Sequence, residues 1–194
     1  MQRWIGCVSA VMVIGLGLFP SLASATFTAS SYPATFSGVT WGQDFVLEAG
    51  TVECKLNLEG TLTEPSNSVT VIPSYTECKA FGFASATVNM NGCDYVFDSS
   101  WNTWSILCPA FKSIVITAGN CEVTIGAQGW LTPFWASNAS GGLWLTPETG
   151  SLTYNVTKDG FLCPFSGTGP KTGGRYRSVV SIFVSASGKS LSVD

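Results

Sequence analysis

The sequence predicts an all-β protein: a single-domain β-sandwich or Greek-key barrel of about ten short strands, stapled by disulfide bonds. Three observations lead to this prediction. Short runs of Val, Ile, Thr, Phe and Tyr alternate with small polar residues and end at Gly, Pro or Asn, which is the pattern of β-strands. No segment beyond the N-terminal leader keeps a helical period for three turns. Six cysteines follow that leader in the 194-residue chain.

The leader occupies residues 1–25 and has the features of a signal peptide. Arg3 precedes an apolar run at 5–19, and Ala23-Ser24-Ala25 supplies a small-x-small cleavage site. We expect cleavage after Ala25, which leaves residues 26–194 as one secreted domain with a loose lead-in at 26–33. An uncleaved membrane anchor is the alternative. After cleavage no membrane association is expected, and the protein would be extracellular or held in the cell envelope.

The strand pattern accounts for most of the chain after the leader. Period-two alternation is clearest around residues 69–72 and 152–156, which predicts one solvent-facing side for those strands. Asn91-Gly92 is the pair preferred in a type I′ turn and predicts a hairpin there. The candidate strands are 50–58, 68–73, 85–89, 94–97, 104–107, 113–117, 122–127, 143–146, 152–157 and 176–185.

The six cysteines after the leader predict three disulfides, because an even number in an exported chain is typical of a disulfide framework. A metal site is disfavoured, since no two cysteines form a CxxC pair and the chain has no histidine. Several connectivities are open. We favour Cys108 with Cys121 across a hairpin, Cys54 with Cys78 between neighbouring strands, and Cys93 with Cys163.

Composition excludes several classes of function. The formal charge is −3, or −4 once Arg3 is removed, and the basic residues are scattered, so nucleic-acid binding is not expected. The lack of histidine removes Ser-His-Asp and Cys-His catalysis. No cofactor motif is found, and no catalytic residue is assigned. Asp94 with Asp98 is the nearest local pair of carboxylates that a glycosidase could use, although solvated strand residues explain the pair equally well.

Tryptophans provide the one positive indication of binding. Five of them fall in the middle of the chain, in segments rich in Asn, Ser, Thr and Gly, where exposed indoles could stack on sugars or anchor a protein. The alternative is that they fill the core. The candidate ligand or partner surface is Trp101, Trp104, Trp130, Trp135 and Trp144.

Several motifs in one order resemble a family of uncharacterised secreted actinobacterial proteins with six cysteines. The resemblance runs from about residue 45 to residue 176 and implies a secreted bacterial origin and a disulfide-bonded domain. It implies no activity, and the stretch 130–144 departs from the family pattern. The motifs are GTVEC (50–54), PSYTEC (73–78), AFG (80–82), NGCDY (91–95), CPA (108–110), CEV (121–123), YNV (154–156) and CPFSGTG (163–169).

Together these features predict a non-enzymatic secreted or cell-surface domain with a structural or interaction role. The first alternative is a carbohydrate-binding module, which requires exposed, coplanar indoles in a row on one sheet face. The second is a hydrolase that uses carboxylates without histidine, which requires two facing carboxyl groups in a cleft, one with a raised pKa. The candidate partners are therefore a polysaccharide or an envelope protein, with no cofactor.

Overall fold

A computed structural model describes residues 25–139, 142–160, 163–178, 181–185 and 191–194. Of the leader it describes only Ala25, so the signal-peptide prediction lies outside the described residues. The described chain is all-β, with sixteen strands and no helix, and none of its segments is a helix that could cross a membrane. The strands are β1 Phe27–Ala29, β2 Ala34–Leu47, β3 Gly50–Leu62, β4 Ser68–Ala80, β5 Ala84–Ser85, β6 Thr87–Asn89, β7 Asp94–Asp98, β8 Thr103–Leu107, β9 Ile114–Ala118, β10 Cys121–Ile125, β11 Gln128–Leu131, β12 Phe134–Ala139, β13 Gly142–Asp159, β14 Gly169–Ser178, β15 Ser181–Ser185 and β16 Leu191–Val193.

One large antiparallel sheet contains most of these strands, in the order β11-β8-β7-β4-β3-β2-β14-β13-β10-β9-β6. Strands β12 and β15 pair with β13, β15 also pairs with β2, and β5 pairs with β4. The separate pair β1–β16 joins the two ends of the described chain. Because β2 and β13 are long, each pairs with different strands along its length: β2 with β15 and then β14, and β13 with β12 and then β10.

The large sheet curls so that its two edge strands come close to strands in its middle. At one edge the Ala86 amide, just before β6, donates to the Cys78 carbonyl of β4 at 3.0 Å. At the other edge the Gln128 side chain of β11 both donates to the Thr153 carbonyl and accepts from the Thr153 amide, each at 2.8 Å. The Gln128 amide thus acts as an extra backbone unit that joins β11 to β13.

Alternation along the strands separates a buried inner face from a solvent-facing outer face, as the sequence pattern predicts. In β4, Val69 and Val71 are buried whereas Thr70 and Ile72 are exposed. Burial of the inner side chains supplies the main driving force for folding, at roughly 1.5–3 kcal/mol for each large apolar side chain.

The centre of the core is aromatic and contains a network of three tyrosine hydroxyls. The Tyr75 hydroxyl lies 2.6 Å from the hydroxyl of Tyr95 and 3.0 Å from that of Tyr176. The Trp104 ring packs on Tyr95 and Tyr176, with centroids 5.4 and 5.1 Å away, and Phe45 packs on Tyr75 and Tyr176. We call these five residues the aromatic core. Burial is the main cause that raises the pKa of all three tyrosines, so their hydroxyls stay protonated and able to donate.

The strand predictions were correct in type but incomplete in extent. The long strand β2 was missed because its residues 34–47 include two glycines and several polar residues and show no sustained alternation. The predicted strands 143–146 and 152–157 are parts of the single strand β13. Residues 176–185 divide between β14 and β15.

The Asn91-Gly92 turn forms, but it does not make the predicted hairpin. Both residues have positive φ, 50° and 82°, and the Cys93 amide donates to the Met90 carbonyl. The flanking strands then separate, β6 to pair with β9 and β7 to pair with β4 and β8. Turn chemistry specifies the local backbone, whereas the pairing of the flanking strands depends on distant partners.

The segment 26–33, predicted as a loose lead-in, contains strand β1. Phe27 is buried in the core, and β1 pairs with β16 through the register Phe27↔Val193. The Thr26 amide donates to the Asp194 carbonyl at 2.7 Å. The burial of the Phe27 ring explains why this stretch does not remain loose.

The structure contains three disulfides, and the prediction was correct for one pairing of the three. Cys54–Cys78 joins the neighbouring strands β3 and β4, as predicted. The predicted pairs Cys108–Cys121 and Cys93–Cys163 are wrong: the bonds are Cys93–Cys108 and Cys121–Cys163.

Strand pairing explains both corrections. Asp94 pairs with Leu107 in the β7–β8 ladder, which places Cys93 directly across from Cys108. The hairpin near Cys121 is β9–β10, and Cys108 lies outside it. Cys121 pairs with Asp159 at the end of β13. The Cys163 amide donates to the Gly160 carbonyl at 2.9 Å, which places Cys163 beside this end of β13 and within reach of Cys121. Three disulfides within one small domain are typical of proteins that function in an oxidising compartment.

Candidate functional site

The five candidate tryptophans divide into three exposed side chains, one partly buried and one fully buried. Trp101, Trp130 and Trp135 are 67%, 72% and 65% exposed. Trp104 is part of the aromatic core and cannot reach a ligand, so its assignment to a binding surface is wrong. Trp144 is partly buried. We call Trp101, Trp130 and Trp135 the tryptophan surface.

Trp101 and Trp130 form a direct pair. Their ring centroids are 6.3 Å apart and the rings are inclined by 70°, an edge-to-face contact. This geometry differs from the coplanar row that a flat sugar-stacking platform requires. Both indoles remain largely exposed, so the pair forms an angled apolar surface in contact with solvent.

Trp130 is held in an unusual backbone conformation. Its φ is +58°, and the register between β11 and β8 shifts between Gln128 and Leu131, so Trp130 lies in a bulge. A bulky side chain in the left-handed region is uncommon, and such a conformation costs about 1–3 kcal/mol. The Gln128 clamp on Thr153 and burial of Leu131 hold the backbone on either side. The strained bulge directs a large apolar side chain into solvent, which folding alone does not favour.

Trp135 comes later in the chain but lies close in space to the β7–β8 turn that carries Trp101. The amide of its neighbour Phe134 donates to the carbonyl of Asn102 at 3.3 Å, which attaches the start of β12 to the β7–β8 turn. Trp135 follows Trp130 by five positions, so their Cα atoms are at most about 18 Å apart. Trp135 pairs with Thr146 and Ser137 pairs with Trp144, so Trp144 lies diagonally beside Trp135 on the same face of the ribbon.

A groove of about 570 Å³ lies on the outer face of the sheet, across β2, β3, β4 and β7. We call it the outer groove. Its walls contain hydroxyl groups, two carboxylates and one exposed aliphatic side chain, and no lysine or arginine. The lining residues are Thr35, Phe36, Ser37, Glu59, Gly60, Thr61, Thr70, Ile72 and Asp94.

The lining residues of the outer groove form two rows that cross the strands. In one row Ser37 pairs with Glu59 and Glu59 with Ile72. Because Val71 pairs with Tyr95, Ile72 is next to Asp94, which pairs with Leu107 of β8. Adjacent members of a row are about 4.8 Å apart, the spacing of neighbouring strands.

The second row consists mainly of hydroxyl residues. Thr35 pairs with Thr61, and since Gly60 pairs with Val71, Thr61 is next to Thr70. Thr70 then pairs with Val96, and Val96 with Ser105 of β8. The row ends at β11, where Gly129 lies over Ser105: a Cβ on Gly129 would meet only the Ser105 Oγ, at 3.9 Å. The hydroxyl row therefore leads to the residue before Trp130.

Asp94 has a raised pKa, and its position in the outer groove explains why. Its neighbours across the strands are Ile72 and Leu107, which are 57% and 58% exposed aliphatic side chains. They reduce the hydration of the carboxylate, and this desolvation raises the pKa of Asp94 above its ordinary value.

The carboxylate pair suggested by the sequence, Asp94 with Asp98, is not a facing pair. Both residues lie on the outer side of β7, but the Asp98 Oδ1 accepts a hydrogen bond from the Ser100 amide at 2.9 Å in the following turn. The carboxylate that shares the groove with Asp94 is Glu59, from a strand two positions away in the sheet. Sequence reasoning missed Glu59, because adjacency across strands depends on a pairing order that one sequence does not reveal.

No cluster of three or more His, Cys, Asp or Glu residues that could hold a metal ion occurs among the residues the structure describes. Comparison of the chain with models of protein families, with curated proteins and with solved structures found no match. The functional argument therefore depends on the tryptophan surface and the outer groove.

Proposed function

We propose that this chain is a non-enzymatic extracellular binding domain and that the tryptophan surface contacts its ligand. The observation that carries the proposal is the exposed Trp101–Trp130 pair, with Trp130 held outward by a strained bulge. Two indoles in contact with each other and with solvent form an apolar surface that a ligand would cover, and Trp is the residue type most enriched at binding hot spots. Core filling, the competing explanation, accounts for Trp104 and in part for Trp144, but not for the three exposed indoles.

The proposal extends to where the protein acts and to the topology of the fold. We propose that residues 1–25 direct export and are removed, that the three disulfides form outside the cytoplasm, and that the source is bacterial, as the six-cysteine resemblance implies. We further propose that the curled sheet is a closed Greek-key barrel. The contacts of β6 with β4 and of β11 with β13 support closure.

The test is binding to isolated actinobacterial cell envelopes. The full chain, exported and purified in its oxidised form, is sedimented with envelopes, and the bound fraction is measured. The double variant Trp101→Ala/Trp130→Ala is compared with Phe83→Ala/Phe111→Ala, which removes two aromatic side chains that are 84% and 107% exposed elsewhere. We expect the wild type and the phenylalanine variant to sediment and the tryptophan variant to remain in the supernatant. A wild type that stays in solution, or a tryptophan variant that sediments equally well, contradicts the proposal.

A carboxylate hydrolase is the second candidate function. In its favour, Glu59 and Asp94 line one groove and the pKa of Asp94 is raised. Against it, the two residues are two strands apart, about 10 Å, with Ile72 between them, and both project from the same sheet face. Release of reducing ends from a polysaccharide by the wild type, lost in Asp94→Asn, would place hydrolysis ahead of binding.

A further inference from the structure

We infer that the ligand is an uncharged polysaccharide that crosses the strands from the tryptophan surface into the outer groove. This inference rests on the proposed binding function and adds the chemical class of the ligand and the path that it follows.

The length of the outer face and the direction of its hydroxyl row provide the first argument. The strands β11, β8, β7, β4, β3 and β2 are consecutive in the sheet, so the outer face extends about 24 Å from Trp130 to the far wall of the groove. Along this path the row that begins at the Trp101–Trp130 pair continues through the hydroxyls of Ser105, Thr70, Thr61 and Thr35, with Val96 between Ser105 and Thr70. Gly129, between the two parts, has no side chain that would obstruct the path. The path suits an extended chain of several linked units better than one compact ligand.

The chemistry of the lining provides the second argument. A sugar ring presents apolar C–H faces and hydroxyl groups that both donate and accept hydrogen bonds. The Trp101 and Trp130 rings are inclined by 70° and do not form one flat platform, so each indole supplies apolar surface for the C–H face of a separate sugar unit. Threonine and serine hydroxyls donate and accept, while the carboxylates of Glu59 and Asp94 accept only. Each group needed to bind a polyhydroxylated chain is therefore present along one path.

The charge of the groove narrows the ligand class. Two carboxylates line it, and no lysine or arginine is among its lining residues. A polyanion, such as a nucleic acid or an acidic polysaccharide, would meet like charge without a compensating cation. A neutral chain does not incur this cost.

The arrangement of polar and apolar groups disfavours a protein partner. Protein interfaces have an apolar centre surrounded by a polar rim. Here the outer face has no continuous apolar centre. The apolar side chains in its middle, Ile72, Val96 and Leu107, alternate with polar neighbours along the two rows. The two exposed indoles in contact with each other lie at one end. An extended glycan that stacks at one end and forms hydrogen bonds along its length fits this arrangement.

The experiment measures the affinity of the oxidised full chain for three neutral probes, cellohexaose, laminarihexaose and N-acetylchitohexaose, by calorimetry and tryptophan fluorescence. A hexagalacturonate serves as the acidic probe. Two variants separate the parts of the path: Trp101→Ala/Trp130→Ala removes the stacking end, and Thr61→Val/Thr70→Val replaces two exposed hydroxyls by methyl groups of similar shape. The matched control Thr87→Val makes the same replacement at an exposed position on β6.

We expect saturable binding of at least one neutral probe and none of the acidic one. We expect a loss of affinity of at least tenfold in the tryptophan variant and about fivefold in the groove variant, with no change in the control. If the groove variant binds as tightly as the wild type, the ligand does not follow the outer groove and the proposed path is wrong. If hexagalacturonate binds more tightly than the neutral probes, the proposed ligand class is wrong.

The same probes and variants, used together with the envelope sedimentation assay, distinguish failure of this inference from failure of the proposed function. One outcome would show that only the ligand class is wrong. In that outcome no neutral probe binds, yet the wild type still sediments with cell envelopes after periodate has destroyed their glycans, and this sedimentation depends on the tryptophans. The proposed binding function would then remain. If the tryptophan variant binds every ligand as the wild type does, the proposed function is wrong as well.

Discussion

Aromatic side chains perform opposite tasks in the aromatic core and on the tryptophan surface. Trp101 and Trp104 are three residues apart, yet Trp104 is fully buried between Tyr95 and Tyr176 whereas Trp101 is two-thirds exposed and contacts Trp130. The β7–β8 turn lies at Trp101, and alternation within β8 directs Trp104 inward. Position relative to the turn, more than residue type, therefore decides which tryptophan stabilises the fold and which is available to a ligand.

The largest expected effect contrasts these two tryptophans directly. Trp104→Ala should lower the free energy of unfolding by about 3–5 kcal/mol, because it leaves a cavity among the aromatic rings. Trp101→Ala should change it by less than about 0.5 kcal/mol, as is usual for an exposed side chain. Denaturant unfolding of both oxidised variants measures the difference. Equal destabilisation would mean that Trp101 is a structural residue and would remove it from the proposed binding surface.

A smaller effect should come from the hydroxyl network of the core. Tyr75→Phe removes the hydroxyl that contacts both Tyr95 and Tyr176, and should cost about 1–3 kcal/mol. The buried tyrosines have raised pKa values, so their contribution to stability is fully present below the unfolded pKa near 10 and is lost as pH rises through the higher folded values.

The alkaline titration of tyrosine absorbance checks the second part of that prediction. Three of the five tyrosines should ionise only together with unfolding, as followed by circular dichroism on the same sample. Full ionisation of all five in a folded protein would show that the network is accessible to solvent.

The Gln128 clamp connects the two regions, because it joins β11 to β13 beside the bulge that presents Trp130. Gln128→Ala removes two hydrogen bonds to the Thr153 backbone and should cost about 1 kcal/mol, since both bonds are exposed to water. Hydrogen exchange should increase at the β11 amides while the β3 amides stay protected. Unchanged exchange in β11 would show that the clamp does not hold the bulge.

The smallest expected effect concerns Asp94. Its pKa is raised in the folded state, so the folded protein binds more protons and loses stability as pH rises from the unfolded pKa, near 4, through the folded value. Asp94→Asn should therefore raise the unfolding temperature at pH 7, by about a degree, and have no effect near pH 3. A variant that is less stable at pH 7 would show that the ionised carboxylate is held by a favourable contact.

The local features of this fold could be predicted from the sequence, and its long-range pairings could not. Alternation around Val69 and Val71 predicted a strand with one solvent-facing side, and the structure has that strand in β4. The type I′ backbone at Asn91-Gly92 is also present, but its strands pair elsewhere. The misassigned disulfide partners of Cys93 and Cys121 have the same cause, since they depend on which strands become neighbours.

The candidate site also divides into features that the sequence predicts locally and features that depend on the pairing of distant strands. Exposure of Trp101 beside a turn could be anticipated, whereas burial of Trp104 requires the position of Tyr176, from the distant strand β14, as well as that of Tyr95 on the neighbouring strand β7. The outer groove could not be anticipated, because Thr35, Thr61 and Thr70 come together only when β2, β3 and β4 pair in their observed register.

A 1H–15N correlation NMR spectrum tests the division between core and binding surface most directly. The indole N–H signals are followed during titration with the neutral hexasaccharide that binds best. The signals of Trp101 and Trp130 should shift and saturate together, while the signal of Trp104 stays in place. A shift of Trp104, or no shift of Trp101 and Trp130 at saturating ligand, would contradict the claim that the exposed tryptophans form the binding surface.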